Sequence, residues 1–187
     1  MMRLVIAAAA IAIATISLAS LSLPNSVISC LLGWSMLAIT VSDARRLIVP
    51  DILSLPAIPA GLLATMLTTY GSGPVLDHLA ASALGGAVFY AIRLVYFRLR
   101  ARHGLGLGDV KLAAVTGAWT GLDGLSLVLL FATAAAMGWI LVAHVIAGRR
   151  LDGASAIPFG AFLAPAIWLT WWLAAAGFDR LATLIGS

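Results

Sequence analysis

Ser42-Asp43-Ala44-Arg45-Arg46 closes an apolar run that begins at Val27, and this junction carries the reading of the fold. A run this rich in aliphatic residues has none of the polar alternation of a barrel strand. In lipid only a helix or a closed barrel satisfies its own backbone groups, so the run reads as a membrane helix ending at a polar boundary.

Outward from it the pattern repeats. Apolar segments run from about Leu4 to Leu23, Val27 to Ser42, Ile52 to Tyr70, Leu79 to Phe97, Val110 to Thr120, Leu125 to Ile146 and Ile157 to Gly177. The chain is 63% hydrophobic and 10% charged, with a mean hydropathy of +1.10, far from the balance of a soluble domain. The expectation is an all-α, polytopic membrane protein with six or seven transmembrane helices, forming a single integral membrane domain over 1–187.

Spanning a core of roughly 30 Å takes about 20 helical residues, which leaves the fifth segment short. Either its neighbours bury it as a half-span or it extends back through the preceding glycine run. The first segment follows Met1 to Arg3 as a signal peptide would, with small residues at Ser17 and Ala19. Its length favours an uncleaved span or signal anchor over 1–23.

Basic residues cluster at alternate boundaries. Arg3 precedes the first span, Arg45 and Arg46 follow the second, Arg98, Arg100, Arg102 and Lys111 surround the fourth loop, and Arg149 and Arg150 lie before the last span. The loops at 24–26, 71–77 and 121–124 have no Lys or Arg. If the basic loops are cytoplasmic, seven passes with the N-terminus inside satisfy the charge rule. Asp43 and Asp109 then lie at the same membrane face. The net charge of +4 is accounted for by these loops, and no nucleic-acid module is visible.

Acids are scarce. There are seven, all aspartate, and an acid at a membrane boundary is costly enough to be a functional candidate. Asp109 follows Gly104-Leu105-Gly106-Leu107-Gly108 and opens a helix-compatible run, where free N–H groups and the helix dipole favour a carboxylate. As the plainer alternative, Asp109 is an N-cap and the glycines are a loop. A second acid in matching context, Asp43, favours the functional reading. Asp51 reads as a turn or cap after Pro50 and ranks below Asp43. Lys111 and Arg93 read as side chains that snorkel to the interface, although Lys111 is also placed to line a site.

Other chemistries find little support. Cys30 is a lone cysteine inside an apolar segment, and His78, His103 and His144 share no metal-ligand spacing, so no metal site is expected. His103 is close to Asp109 in sequence and is the histidine of most interest. No serine sits in a nucleophile elbow.

The stretch Gly106-Leu107-Gly108-Asp109-Val110-Lys111-Leu112 resembles the Gly-x-Gly-Asp motif of the type IV prepilin peptidases, a branch of the membrane aspartyl proteases. Ser42 to Asp51 is similar to that family's first catalytic segment, with Val49 and Asp51 where Ile and Asn are commoner. Ile157-Pro158-Phe159-Gly160-Ala161-Phe162-Leu163 is similar to its C-terminal Pro-Phe-Gly segment, with Ala161 where Pro is frequent. The three motifs fall in order between about residues 41 and 165.

The resemblance implies an endopeptidase in which Asp43 and Asp109 are catalytic, with Gly106, Gly108, Lys111, Pro158, Phe159 and Gly160 lining the site. It implies no metal or organic cofactor. The implied substrate is a prepilin or pseudopilin with a basic leader and an apolar helix, cut at the cytoplasmic face of the bacterial inner membrane, with lipid the only other partner expected. The cysteine-containing N-terminal domain of the bifunctional enzymes has no counterpart in the sequence, so a minimal peptidase core is expected and methyltransferase activity is doubtful. Two carboxyls held together share a proton, and the helix start gives Asp109 the expected advantage as the ionised member. The rival reading is an ion- or proton-coupled transporter using the same acids. It predicts acids near mid-bilayer and repeated halves, and the sequence shows neither.

Overall fold

The computed structural model describes residues 2–68, 73–100, 104–147 and 158–177. His103, Arg102, Arg149, Arg150 and Ile157 lie outside the described residues. Among the described residues the elements are six α-helices and no strand: α1 (Met2–Ser20), α2 (Leu23–Arg46), α3 (Asp51–Thr68), α4 (Gly73–Arg100), α5 (Leu107–Ala147) and α6 (Gly160–Ala175). Five are long and apolar enough to cross a membrane, and α6 is shorter. The protein is an all-α, multi-pass membrane protein.

α5 spans 41 residues, about twice the length one crossing needs. It breaks at Gly121, whose φ of 65° and ψ of −169° belong to a region that essentially only glycine occupies. A side chain there would also strike Asp77, whose Oδ2 accepts the backbone N–H of Leu122. Ala113 and Leu125, on opposite sides of the break, both lie against Gly85 of α4. The chain therefore folds back along α4, and α5 comprises the two segments expected from the sequence. Its first arm starts at Leu107, within the glycine run, which settles where the short fifth segment begins.

Small residues make this packing possible. Cβ atoms on Gly85 and Gly117 would stand 2.6 Å from Ala113 O and 2.2 Å from the Ala81 carbonyl carbon, so α4 and α5 approach backbone to backbone. α5 is central, packing on α3, α4 and α6, and α6 also packs on α2. Leu32, Met36 and Ile39 of α2, Leu112 and Val115 of α5, and Leu163 and Ile167 of α6 belong to one core, with α6 between α2 and α5. Large apolar side chains such as Leu4, Leu31, Ile52, Leu67 and Leu99 face outward, as a lipid-facing surface requires.

Hydrogen bonds tie the helices where the apolar effect cannot. Ser17 and Ser29 pair at 2.7 Å between α1 and α2, and the indole N–H of Trp34 donates to Ala10 O at 3.1 Å. Trp119 donates to Ala57 O at 2.8 Å, joining α5 to α3. His78, expected to be structural, lies with Nδ1 3.1 Å from Thr65 Oγ1 and 3.0 Å from Ala118 O.

α1 and α2 are antiparallel, so Arg3 lies at the same end of the bundle as Arg45 and Arg46. Arg98, Arg100 and Lys111 join them there, while Asp77 and Asp123 lie at the other end. Every described Lys and Arg thus belongs to the half that holds Asp43 and Asp109.

Candidate functional site at the basic end of the bundle

Asp43 lies in the last turn of α2 and is buried, 5% exposed. α6 begins beside it, and the backbone N–H of Ala161 donates to Asp43 Oδ2 at 2.7 Å. The same N–H also reaches Pro158 O at 3.1 Å. Free N–H groups at a helix start form an anion site, and here the anion is the Asp43 carboxylate. The helix-start advantage expected for Asp109 alone is therefore shared by Asp43.

Asp109 is the third residue of α5 rather than its N-cap. Its Oδ2 accepts the backbone N–H of Gly106 at 3.2 Å, the reach-back of a capping box. A Cβ on Gly106 would stand 3.3 Å from that oxygen. Val49 lies against both Gly108, next to Asp109, and Gly160, whose Cβ would stand 3.0 Å from Asp43 Oδ2, so helices far apart in sequence bring the two acids to one end of the same packed cluster.

Val49 joins the two halves. Its side chain, 7% exposed, fills the space that Cβ atoms on Gly108 and Gly160 would need, at 2.6 Å and 3.2 Å from Cγ2. A Cβ on Gly160 would also stand 3.0 Å from Asp43 Oδ2. Gly106, Gly108 and Gly160 thus lie against the acids, with Phe159 as the N-cap residue of α6, packed on the core, and Pro158 just before it.

Two basic side chains have partners that the sequence does not mark. Lys111 Nζ bonds Asp51 Oδ1 at 2.5 Å, tying α5 to the first residue of α3. Arg93 reaches toward the same end of the bundle and donates to Leu105 O in the glycine run. An ion pair sixty residues apart leaves no local pattern in sequence.

Two contributors carry no local mark in the sequence. Val49 reads there only as a departure from Ile, and Ala161 only as a departure from Pro, yet Ala161 supplies an N–H that proline lacks. At Ala161 the position itself is informative, because the first turn of any helix has unused donors.

With this geometry, the comparison with known proteins is direct. The model of the type IV leader peptidase family matches residues 30–142, which include both Asp43 and Asp109. The chain belongs to this family. Similar proteins named prepilin leader peptidase/N-methyltransferase are found in Aeromonas salmonicida (34% identical over 139 residues, 74% of this chain and 46% of the relative). One from Pseudomonas aeruginosa is 32% identical over 139 residues, 74% of this chain and 47% of the relative. One from Xanthomonas campestris pv. campestris is 33% identical over 143 residues, 76% and 47%. The chain spans about half the length of the curated relatives it matches. No solved structure matches it. The Pro158-Phe159-Gly160 segment lies beyond the family match, and the structure brings it against Asp43 all the same.

Proposed function

We propose that the protein is a membrane aspartyl endopeptidase that removes the leader peptide of type IV prepilins or pseudopilins at the cytoplasmic face of the bacterial inner membrane. What supports this reading is that Val49 packs on both Gly108, beside Asp109, and Gly160, beside Asp43, while Ala161 bonds Asp43, so segments of all three motifs converge around the two acids.

The chemistry needs no further group. One carboxylate takes a proton from water as the water oxygen attacks the scissile carbonyl carbon while the other carboxyl protonates the carbonyl oxygen. The resulting gem-diol then collapses, the C–N bond breaks, and the carboxyl that took the proton gives it to the departing amine nitrogen. In the reaction the pair is to hold one proton, which supplies the acid and the base together. Gly106, Gly108 and Gly160 let the acids and Val49 pack closely against the backbone, and Phe159 begins the helix that bonds Asp43. Both acids lie within a turn of a helix end, which supports hydrolysis at a membrane face over transport through mid-bilayer. The concentration of basic residues at that end supports its cytoplasmic placement. The N-methyltransferase in the relatives' names is not carried over, because the motifs described bear on peptide hydrolysis alone.

The test is cleavage of a prepilin panel by the purified protein in liposomes, comparing wild type with Asp43→Asn and Asp109→Asn. Each substitution is expected to abolish cleavage while the thermal transition persists. Cleavage surviving in either variant removes that residue from the mechanism, and no cleavage by wild type on any substrate removes the reading.

A further inference from the structure

The helices that carry the two acids make little direct contact with each other. α5 packs on α3, α4 and α6, and α2 packs on α1, α6 and, more sparsely, α3. The separation of Asp43 and Asp109 is therefore set by what stands between them. On one side this is α6, through Ala161 and the core. On the other it is the connection from α2 to α3.

That connection is tied at both ends. Toward α2, the N–H of Leu47 donates to Asp43 O at 2.8 Å and Ser42 Oγ donates to Ile48 O at 2.8 Å. Leu47 adopts a left-handed conformation, φ 55°, to close the helix. Toward α5, Val49 packs against Gly108, and Asp51 bonds Lys111 two residues beyond Asp109. A continuous series of contacts thus runs from the backbone of one acid to the helix turn of the other, and its last polar tie is an ion pair.

We propose that the Asp51–Lys111 pair is a positioning device for the peptidase reaction, holding the first turn of α5 so that Asp109 stays in register with Asp43. The assignment rests on the two-aspartate reading above. Lys111 then serves through Asp51 and does not bind substrate. The pair is worth little to the fold, since its side chains are 27% and 63% exposed and surface pairs contribute at most about 1 kcal/mol. Its value is geometric, because misplacing a reacting group by about 1 Å can cost on the order of a hundredfold in rate.

A double-mutant cycle tests this, with kcat and KM for prepilin cleavage measured in liposomes for Asp51→Asn, Lys111→Met and the two combined. The combined variant removes the pair without altering net charge. If the two side chains act as one unit, each single variant and the double lose kcat alike, by roughly tenfold, with KM within about twofold of wild type. Lys111→Arg, which keeps a cation opposite Asp51, should recover most of that loss. Thermal transitions within a few degrees of wild type show that the fold is retained. Wild-type kcat in the double variant overturns the proposal, as do additive losses or a rise in KM confined to Lys111→Met. Those results leave the two-aspartate mechanism standing, whereas a wild type inactive on every prepilin fails at the level of that mechanism.

Discussion

Val49 occupies the space that a side chain on Gly108 would fill, since a Cβ there would stand 2.6 Å from Val49 Cγ2 and 2.7 Å from its Cβ. Gly108 immediately precedes Asp109, and Val49 also meets Gly160 beside Asp43. The glycine of the Gly-x-Gly-Asp motif thus lets the α2–α3 connection wedge between the acids. Gly108→Ala should lower kcat/KM by tenfold or more, by analogy with the roughly hundredfold sensitivity of catalysis to small misplacements. Gly108→Ala combined with Val49→Gly should recover part of the loss, because the clash is with both Cγ2 and Cβ of Val49 and only glycine removes both. Cleavage kinetics of the wild type and these two variants check this. A double variant no better than Gly108→Ala would mean that the glycine serves substrate contact instead.

Much of this arrangement was legible in the chain. The apolar segments, the short fifth segment and the grouping of basic residues follow from hydropathy and charge, which act locally along the sequence. Asp43 and Asp109 stood out because acids at membrane boundaries are costly. What could not be read were the partners across space. Lys111 looked like an interfacial cation because its Asp51 partner lies on another helix, and Arg93 because Leu105 offers only a backbone carbonyl. Val49 passed for one more aliphatic residue, since nothing local marks which glycine it will meet.

Ala161 offers a sharper test of the site's electrostatics. Its N–H is aimed at Asp43 at 2.7 Å, and a hydrogen bond to a charged group contributes about 1.5–3 kcal/mol. Ala161→Pro keeps the helix, because proline is accepted in a first helical turn, but removes the donor. Cleavage should fall by at most about tenfold, the low end of the energy of the lost bond, since proline is frequent here in the family the motif resembles, with the thermal transition preserved. Unchanged kcat/KM in the proline variant would mean that the bond from Ala161 has no part in the reaction.

Gly121 is a structural counterpart far from the acids. Any residue with a Cβ faces both an unfavourable backbone region and the Asp77 carboxylate 2.7 Å away. Gly121→Ala should destabilise the protein by about 1–3 kcal/mol, seen as a lower thermal transition in detergent. The folded fraction should keep its kcat, because the turn lies at the end of the bundle opposite Asp43. A variant with wild-type stability would show that the chain turns back without needing glycine there.

A proton shared between the two aspartates, as proposed, predicts a particular pH dependence. A mechanism requiring one carboxyl protonated and the other ionised is active only between the two macroscopic titrations of the pair, so kcat/KM should rise and then fall with pH. On the acid side both carboxyls are protonated and no base remains to activate water. On the basic side both are ionised and no acid remains to protonate the carbonyl oxygen. Replacing either aspartate by asparagine should leave no residual activity at any pH, since no single carboxyl can supply both functions. Initial rates of prepilin cleavage over a range of buffers check this. A single rising limb that stays level to high pH would mean that no proton donor of carboxylic type is needed, and the second aspartate would lose its role as acid.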